Sequence, residues 1–470
     1  MRLSVGSDFR SDWPVIEDAI DRGVGGFLLY GGEAGSVRDL TAEIRARSPH
    51  PLLIASDLER GAGQQFVGAT QLPPASALAA LNDPEVTRRA GEMTAREARA
   101  IGVEWILAPV ADIDLEPENP IVGTRAFGVD ARSVAVQVAA WIRGCREGGG
   151  LSCAKHFPGH GRTRGDSHVE LPVVHATRLE MDTDLLPFRS AITAGADSVM
   201  VGHVAYPSLE PVRRPATLSP PLLRDLLRGT LGFQGVAVSD AADMAGFRGG
   251  GDARQAITEA ILAGCDVILS PPDLESAVGG LADEVRRNPS FQRRVEEASR
   301  RIDVLVERIR ARPVERSAAG EWGIDEDREW AQRIALRTLS VIRGAPNLPP
   351  AAVSLVEVDD DLDSLRPAPS RAPLRAALRR ARVELAPDGR PLLVVFADVR
   401  AGKGRRGLSH AARERVRTTC EAAPETTVIL FGHPGMAAEL PFARHILLAW
   451  GGEALMQRAV AARLASSGTR

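Results

Sequence analysis

The densest concentration of groups able to move protons is KHFPGHGRTRGDSHVELP, residues 155–172, which carries His156, His160, Asp166 and His168. Of the nine histidines in the chain, five fall between His156 and His203, so imidazole chemistry is concentrated in one region. The glycines and proline of this stretch do not extend a helix, and it reads as a loop. Asp166 and His168 are two residues apart. In a turn, an Asp at that spacing reaches the imidazole, fixes its tautomer and stabilises the imidazolium. A His held this way donates and accepts protons near neutral pH. Three readings fit the patch: a metal site, a solvent-exposed loop without chemistry, and a proton-shuttling His–Asp pair facing a nucleophile. No HxH lies on an early strand and no HExxH occurs, so the metal reading lacks its usual spacing. The His–Asp pair is the reading adopted. With only two tyrosines, Tyr30 and Tyr206, and no GxSxG elbow, the best nucleophile is a carboxylate. Asp240, in VSDAADMAG, is the best placed one.

These residues need a scaffold that brings distant segments together. Short apolar runs recur through the first 270 positions: RLSVG (2–6), GFLLY (26–30), LLIAS (52–56), VEWILAP (103–109), LSCAKHF (151–157), SVMVGHV (198–204), VAVSDA (236–241) and CDVILSP (265–271). They are apolar nearly throughout, as parallel strands covered on both faces are. Helix-period stretches lie between them, such as SVRDLTAEIRAR (36–47), DLLPFRSAITAG (184–195) and GDARQAITEAILAG (251–264). Eight strands alternating with helices predict a (β/α)8 barrel. An open doubly wound sheet is the alternative, but GGFLLYGG lacks the GxGxxG order and no GxxxxGK[ST] occurs to support it.

Barrel enzymes work at the carboxyl ends of their strands, where this chain carries Asp57, Glu59, Lys155, His156, His203, Asp240 and Asp243. A single strand-end Asp is more often a helix cap. Several charged and imidazole groups on one rim exceed what capping explains, because unpaired buried charges cost stability. Beyond a charged helical stretch (281–312), DREWAQRIALRTLSVIRG (327–344) reads as a helix running into a short strand. GAPNLPPA (344–351) reads as a turn and RPAPSRAP (366–373) as a surface loop. PLLVVFADVR (391–400), TTVILFGHP (426–434) and HILLAW (445–450) alternate with helical patterns. The expected organisation is a catalytic barrel over 1–315, a helical connection over 316–345 and a smaller C-terminal α/β domain, sandwich-like, over 346–470.

The remaining composition is that of an ordinary globular chain: 470 residues, 44% hydrophobic and 25% charged. A net charge of −3 gives no general attraction to nucleic acid or anionic membranes. Four scattered cysteines without a CxxC pair suggest a reducing compartment, and no signal-peptide core or membrane-length apolar run is seen. The expectation is a cytoplasmic protein that uses no cofactor and binds neither nucleic acid nor membrane.

KHFPGHG followed by DSH, then SVMVGHVAYP, then GFQGVAVSDAADMAG (232–246) resembles glycoside hydrolase family 3, and within it the bacterial β-N-acetylglucosaminidases. PLLIASDLERGAGQQF (51–66), APVADID (108–114), NPIVGTRAFG (119–128) and DLLPFRSAI (184–192) extend the likeness over roughly residues 20–345. The resemblance implies a retaining exo-acting β-N-acetylglucosaminidase, of a kind that serves cell-wall recycling. It implies Asp240 as nucleophile, His168 as acid/base and Asp166 as its partner. Asp57, Arg125, Lys155 and His156 are implied to bind sugar hydroxyls, and His203 is a further candidate near the nucleophile. A carboxyl pair is the general template for retaining enzymes, so an imidazole in the acid/base role departs from it. Where the family usually has a segment close to DQEGGRVQR, this chain has DLERGAGQQ (57–65), with Gln65 in place of an arginine. Two other functions fit the same motifs. One is a phosphorylase of this fold, since an imidazole repels phosphate less than a carboxylate does. The other is a sugar-binding module whose catalytic site has decayed.

Overall fold

The computed structural model describes residues 1–5, 9–248, 251–312, 322–346, 352–361, 368–400 and 402–467. Each of the eight apolar runs contains a strand: β1 Arg2–Ser4, β2 Gly26–Tyr30, β3 Leu53–Ser56, β4 Trp105–Ile106, β5 Leu151–Phe157, β6 Ser198–Val201, β7 Val236–Ala241 and β8 Val267–Leu269. They pair in chain order as one parallel sheet, which is the expected barrel topology. β5 is buried at every residue, the signature of a strand covered on both faces. The long run VEWILAP yields only the two-residue β4. Pro109, shortly beyond it, has no N–H with which to extend a ladder.

Leu28, Trp105, Leu151, Met200 and Val238 belong to one buried cluster, and Leu305 from the helix Pro289–Arg310 joins it. Fully burying each such side chain contributes about 1.5–3 kcal/mol. Among the described residues no ladder joins β8 to β1. Arg2 of β1 instead donates to Asp243, just beyond β7, at 2.7 Å. Asp130 and Asp252 are true helix caps, accepting from the Ser133 and Gln255 N–H groups at 2.8 and 3.0 Å. Asp240 is not: among the described residues its carboxylate accepts from the adjacent Ala241 N–H alone, at 2.8 Å.

The chain packs as two compact units, Met1–Gln71 with Pro84–Ile113 and Val129–Ile324, and Leu72–Asp83 with Asp114–Gly128 and Asp325–Arg470. Two segments from the first third of the sequence therefore belong with the C-terminal part. Asp114 accounts for one of them: its carboxylate accepts from Arg406 and His433, both at 2.7 Å. In the second unit β9 Ser340–Arg343, β10 Val353–Asp359, β11 Arg390–Ala397, β12 Thr427–Gly432 and β13 His445–Leu448 form one sheet. Its order is β10-β11-β12-β13-β9, with β9 antiparallel to β13 and the other pairs parallel. β10 has no counterpart among the runs read from the sequence, because VSLVEVD mixes acidic with apolar residues. The helix Asp325–Thr338 leads into β9 as expected. The expected surface loop over 366–373 ends in the helix Ala372–Arg380, which has proline in its first turn. Residues 366–367 of that loop, most of the expected turn (347–351) and residues 316–321 of the expected connection lie outside the described residues. No helix among the described residues is long and apolar enough to cross a membrane.

Candidate active site

Lys155, near the end of β5, is 2% exposed and sits between two carboxylates, Asp57 and Glu59, at 2.7 Å from each. Both acids follow β3, which is separated from β5 by β4 alone, so two strand ends on one side of the sheet supply the cluster. Removing one partner from a buried ion pair of this kind costs about 3–5 kcal/mol, which explains why the cation comes with two acids. Tyr30, at the end of β2, donates its hydroxyl to the second Asp57 oxygen. Burial alone would raise the Asp57 pKa, but Lys155 and Tyr30 together hold it below the usual carboxylate value. Gln65 donates to the Asp57 carbonyl at 3.3 Å.

One residue further on, His156 turns to the other side and donates Nδ1–H to Asp112 Oδ2 at 2.7 Å. Asp112 Oδ1 accepts the His156 and His160 backbone N–H groups at 3.2 and 2.6 Å. This carboxyl is fully buried, yet its pKa is lowered: burial opposes ionisation, and His156 with these donors outweighs it. One acid thus pins the stem of the histidine-rich loop and fixes the His156 tautomer, leaving Nε2 as the other ring position. Gly161 makes the next step possible, because a Cβ there would fall 1.6 Å from the Ile113 carbonyl oxygen.

The loop then brings Asp166 and His168 together. Asp166 Oδ1 accepts the His168 backbone N–H at 2.9 Å and Nδ1–H at 2.7 Å. Asp166 is 2% exposed and the His168 side chain 29%, so the acid is anchored while the imidazole reaches accessible space. With Nδ1 committed to the carboxylate, Nε2 is the ring atom available to give or take a proton.

Asp240, the penultimate residue of β7, lies where His156, His168 and His203 all influence its charge. Burial works against ionisation, and the three imidazoles with the Ala241 N–H overcome it, holding this carboxyl well below the ordinary range. A nucleophilic carboxylate has to be ionised, and this surrounding keeps it so. His203 contributes from below. Its Nε2 lies 3.0 Å from the Ala241 carbonyl and its Nδ1 3.1 Å from the Thr217 hydroxyl. A carbonyl only accepts, so Nε2 carries the proton and Nδ1 accepts from Thr217.

Burial lowers the pKa of both His203 and His160, the latter to about 4 from 6.5. Both histidines fold neutral and take up protons on unfolding, so stability is complete above pH 6.5 and declines as pH falls toward 4. The slope is up to about 1.4 kcal/mol per pH unit for each histidine. The depressed carboxyls Asp57, Asp112 and Asp240 act lower: their contribution is present above 3.8 and is lost as pH falls through their folded values. Urea unfolding from about pH 7 down to about pH 5 is therefore expected to show falling stability. His160→Gln should flatten that dependence, and a slope unchanged in the variant would refute the assignment to His160.

Of the residues picked from the sequence, Asp57, Lys155, His156, Asp166, His168, His203 and Asp240 all belong to the barrel unit, whereas Arg125 belongs to the second unit. There Arg125 donates to the Ile121 carbonyl at 2.9 Å. Asp243 pairs with Arg2. The sequence reading gave no role to Asp112 or Tyr30, although both contact site residues. Asp112 had a signal in ADID, an acid just after a strand and upstream of a histidine cluster. Among the described residues no group of three or more His, Cys, Asp or Glu side chains is arranged to hold a metal. The four cysteines are buried free thiols, and burial pushes that of Cys153 up to about 12.

Residues 15–305 match the N-terminal domain of glycosyl hydrolase family 3. The chain belongs to that family. It is 34% identical over 341 residues to a β-N-acetylglucosaminidase/β-glucosidase of Cellulomonas fimi, an alignment covering 70% of this chain and 60% of that protein. It is 39% identical over 274 residues to a β-hexosaminidase of Chromobacterium violaceum, covering 55% of this chain and 76% of the relative. In structure it resembles a family 3 β-N-acetylglucosaminidase from Paenibacillus sp. str. FPU-7, with a TM-score of 0.86 and 25% identity over 99% of this chain and 95% of that one.

Proposed function

We propose that the protein is a retaining exo-β-N-acetylglucosaminidase in which Asp240 is the nucleophile and His168 the acid/base. The observation carrying this reading is the Asp166–His168 contact, which holds Nδ1–H at 2.7 Å and leaves Nε2 to serve the reaction. In the first step an Asp240 oxygen bonds to the anomeric carbon while the bond to the aglycone oxygen breaks. That oxygen takes its proton from His168 Nε2–H. In the second step neutral His168 removes a proton from water, the hydroxyl bonds to the anomeric carbon, and Asp240 leaves as carboxylate. Two displacements return the β configuration. Asp166 stabilises the imidazolium before the first transfer and after the second.

Asp57 and Lys155 offer an ionised acceptor and donor to ring hydroxyls, and His156 offers Nε2. Such charge-assisted contacts are stronger than neutral ones. The relatives named for β-N-acetylglucosaminidase and β-hexosaminidase activity support the sugar assignment. The test is product analysis on an N-acetyl-β-glucosaminide, following the first-formed anomer by NMR with and without inorganic phosphate. β-N-Acetylglucosamine released at the same rate in both conditions is expected. First formation of the α anomer would overturn the mechanism. Sugar 1-phosphate with a large rise in turnover would make the protein a phosphorylase, and tight sugar binding without turnover a binding module.

A further inference from the structure

His160 lies on the same loop as the acid/base but has no part in the steps above. It is 1% exposed, and both ring nitrogens are occupied by hydroxyl groups. Nδ1 is 2.7 Å from Thr163 Oγ1 and Nε2 is 3.0 Å from Ser167 Oγ. The Thr163 hydroxyl donates its proton to the His160 carbonyl at 3.0 Å, so toward the ring it accepts. Nδ1 therefore carries the ring proton. Burial and the neighbouring His156 lower the ring's pKa to about 4, so near neutral pH it stays uncharged. Nε2 is then a lone pair, and Ser167 Oγ–H donates to it.

Ser167 is the residue between Asp166 and His168. It is 1% exposed, and its carbonyl is held from the opposite side by the Gly246 N–H at 3.2 Å. The His168 carbonyl likewise accepts from the Ala245 N–H at 3.3 Å. Gly246 is required at that approach, since a Cβ would come 2.9 Å from the Ser167 oxygen. The backbone of the pair is thus tied to the segment following the nucleophile. Among the described residues the side-chain bond from Ser167 runs to His160, whose backbone N–H is pinned by Asp112 at 2.6 Å. A continuous path leads from Asp112 through His160 and Ser167 to both neighbours of that serine.

We propose that His160, through Ser167, is a positioning residue that sets the orientation of the Asp166–His168 pair for proton transfer. The proposal rests on the acid/base reading of His168. It concerns leaving-group protonation, which demands accurate geometry, while sugar binding by Asp57 and Lys155 does not depend on it. A misplacement near 1 Å costs up to about 100-fold in such steps.

The test compares two N-acetyl-β-glucosaminides, one with an alkyl leaving group that needs a proton and one with a dinitrophenyl group that does not. Ser167→Ala removes only the hydroxyl. It is expected to lower kcat for the alkyl glycoside by about 10–100-fold, with KM and the rate of the initial dinitrophenolate burst changed less than about 3-fold. Ser167→Thr restores the hydroxyl and should recover most of the loss. His160→Leu should match Ser167→Ala, and the double variant should be no worse than either single one. Equal losses in the alkyl kcat and in the dinitrophenolate burst rate, or no loss in either, would overturn the proposal, and so would additive effects in the double variant. His168→Ala, run alongside, separates the two ideas. If it lacks the leaving-group dependence the acid/base reading fails; if it has the dependence and Ser167→Ala does not, only the positioning role fails.

Discussion

Asp240→Asn is expected to lower kcat/KM for p-nitrophenyl N-acetyl-β-glucosaminide by about 10,000-fold or more, equivalent to about 5.5 kcal/mol of lost transition-state stabilisation. Asn has nearly the same shape as Asp, so the barrel should fold unchanged. What disappears is the negative charge that the three surrounding imidazoles favour. The other site carboxylates are already engaged: Asp57 by Lys155 and Tyr30, Glu59 by Lys155, Asp112 by His156, and Asp166 by His168. Measurement of kcat/KM on protein verified as folded by circular dichroism checks the prediction. Retention of a tenth of the activity would assign the nucleophile elsewhere.

The second large effect is a leaving-group dependence in His168→Ala. For an alkyl aglycone, loss of the proton donor is expected to cost about 100–10,000-fold in kcat. For dinitrophenolate, which departs unprotonated, formation of the glycosyl-enzyme should continue nearly unimpaired. Its hydrolysis should slow, since no base remains to activate water. An initial burst of dinitrophenolate followed by a slow steady phase is the expected record. Equal losses for both aglycones with no burst would remove His168 from proton transfer. Asp166→Asn should show a weaker form of the same pattern, because the ring would lose the charge that stabilises its imidazolium.

The two effects depend on residues that were legible in the sequence to different degrees. Asp166 and His168 are two apart, and a contact at that spacing is local, so the DSH motif predicts it without knowledge of the fold. Asp240 was legible because it ends an apolar run. The eight runs themselves required only that parallel strands covered on both faces be apolar throughout. β10 escaped because its residues alternate, with Glu357 and Asp359 inside the strand. The inclusion of 72–83 and 114–128 in the second unit escaped for another reason. Asp114 finds Arg406 and His433 roughly three hundred positions downstream, and no local pattern encodes a pairing of that range.

Composition, apolar periodicity and the spacing of Asp and His were enough to determine an eight-stranded barrel, a second α/β sheet and an acid–imidazole pair, since each leaves a local pattern along the chain: apolar runs for covered strands, helical periods between them and a two-residue Asp–His spacing. Tertiary structure alone decided the electrostatics. Lys155 meets Asp57 and Glu59 because the ends of β3 and β5 lie across the narrow β4, and Asp112 meets His156 and His160 because β4 and β5 run side by side. Burial then acts differently on each group: it makes His160 and His203 neutral, while Asp57, Asp112 and Asp240 remain ionised because donors and imidazoles outweigh their desolvation. A residue's type states which protons it can carry. Whether it carries them depends on the dielectric and the neighbours, and those exist only once the chain has folded.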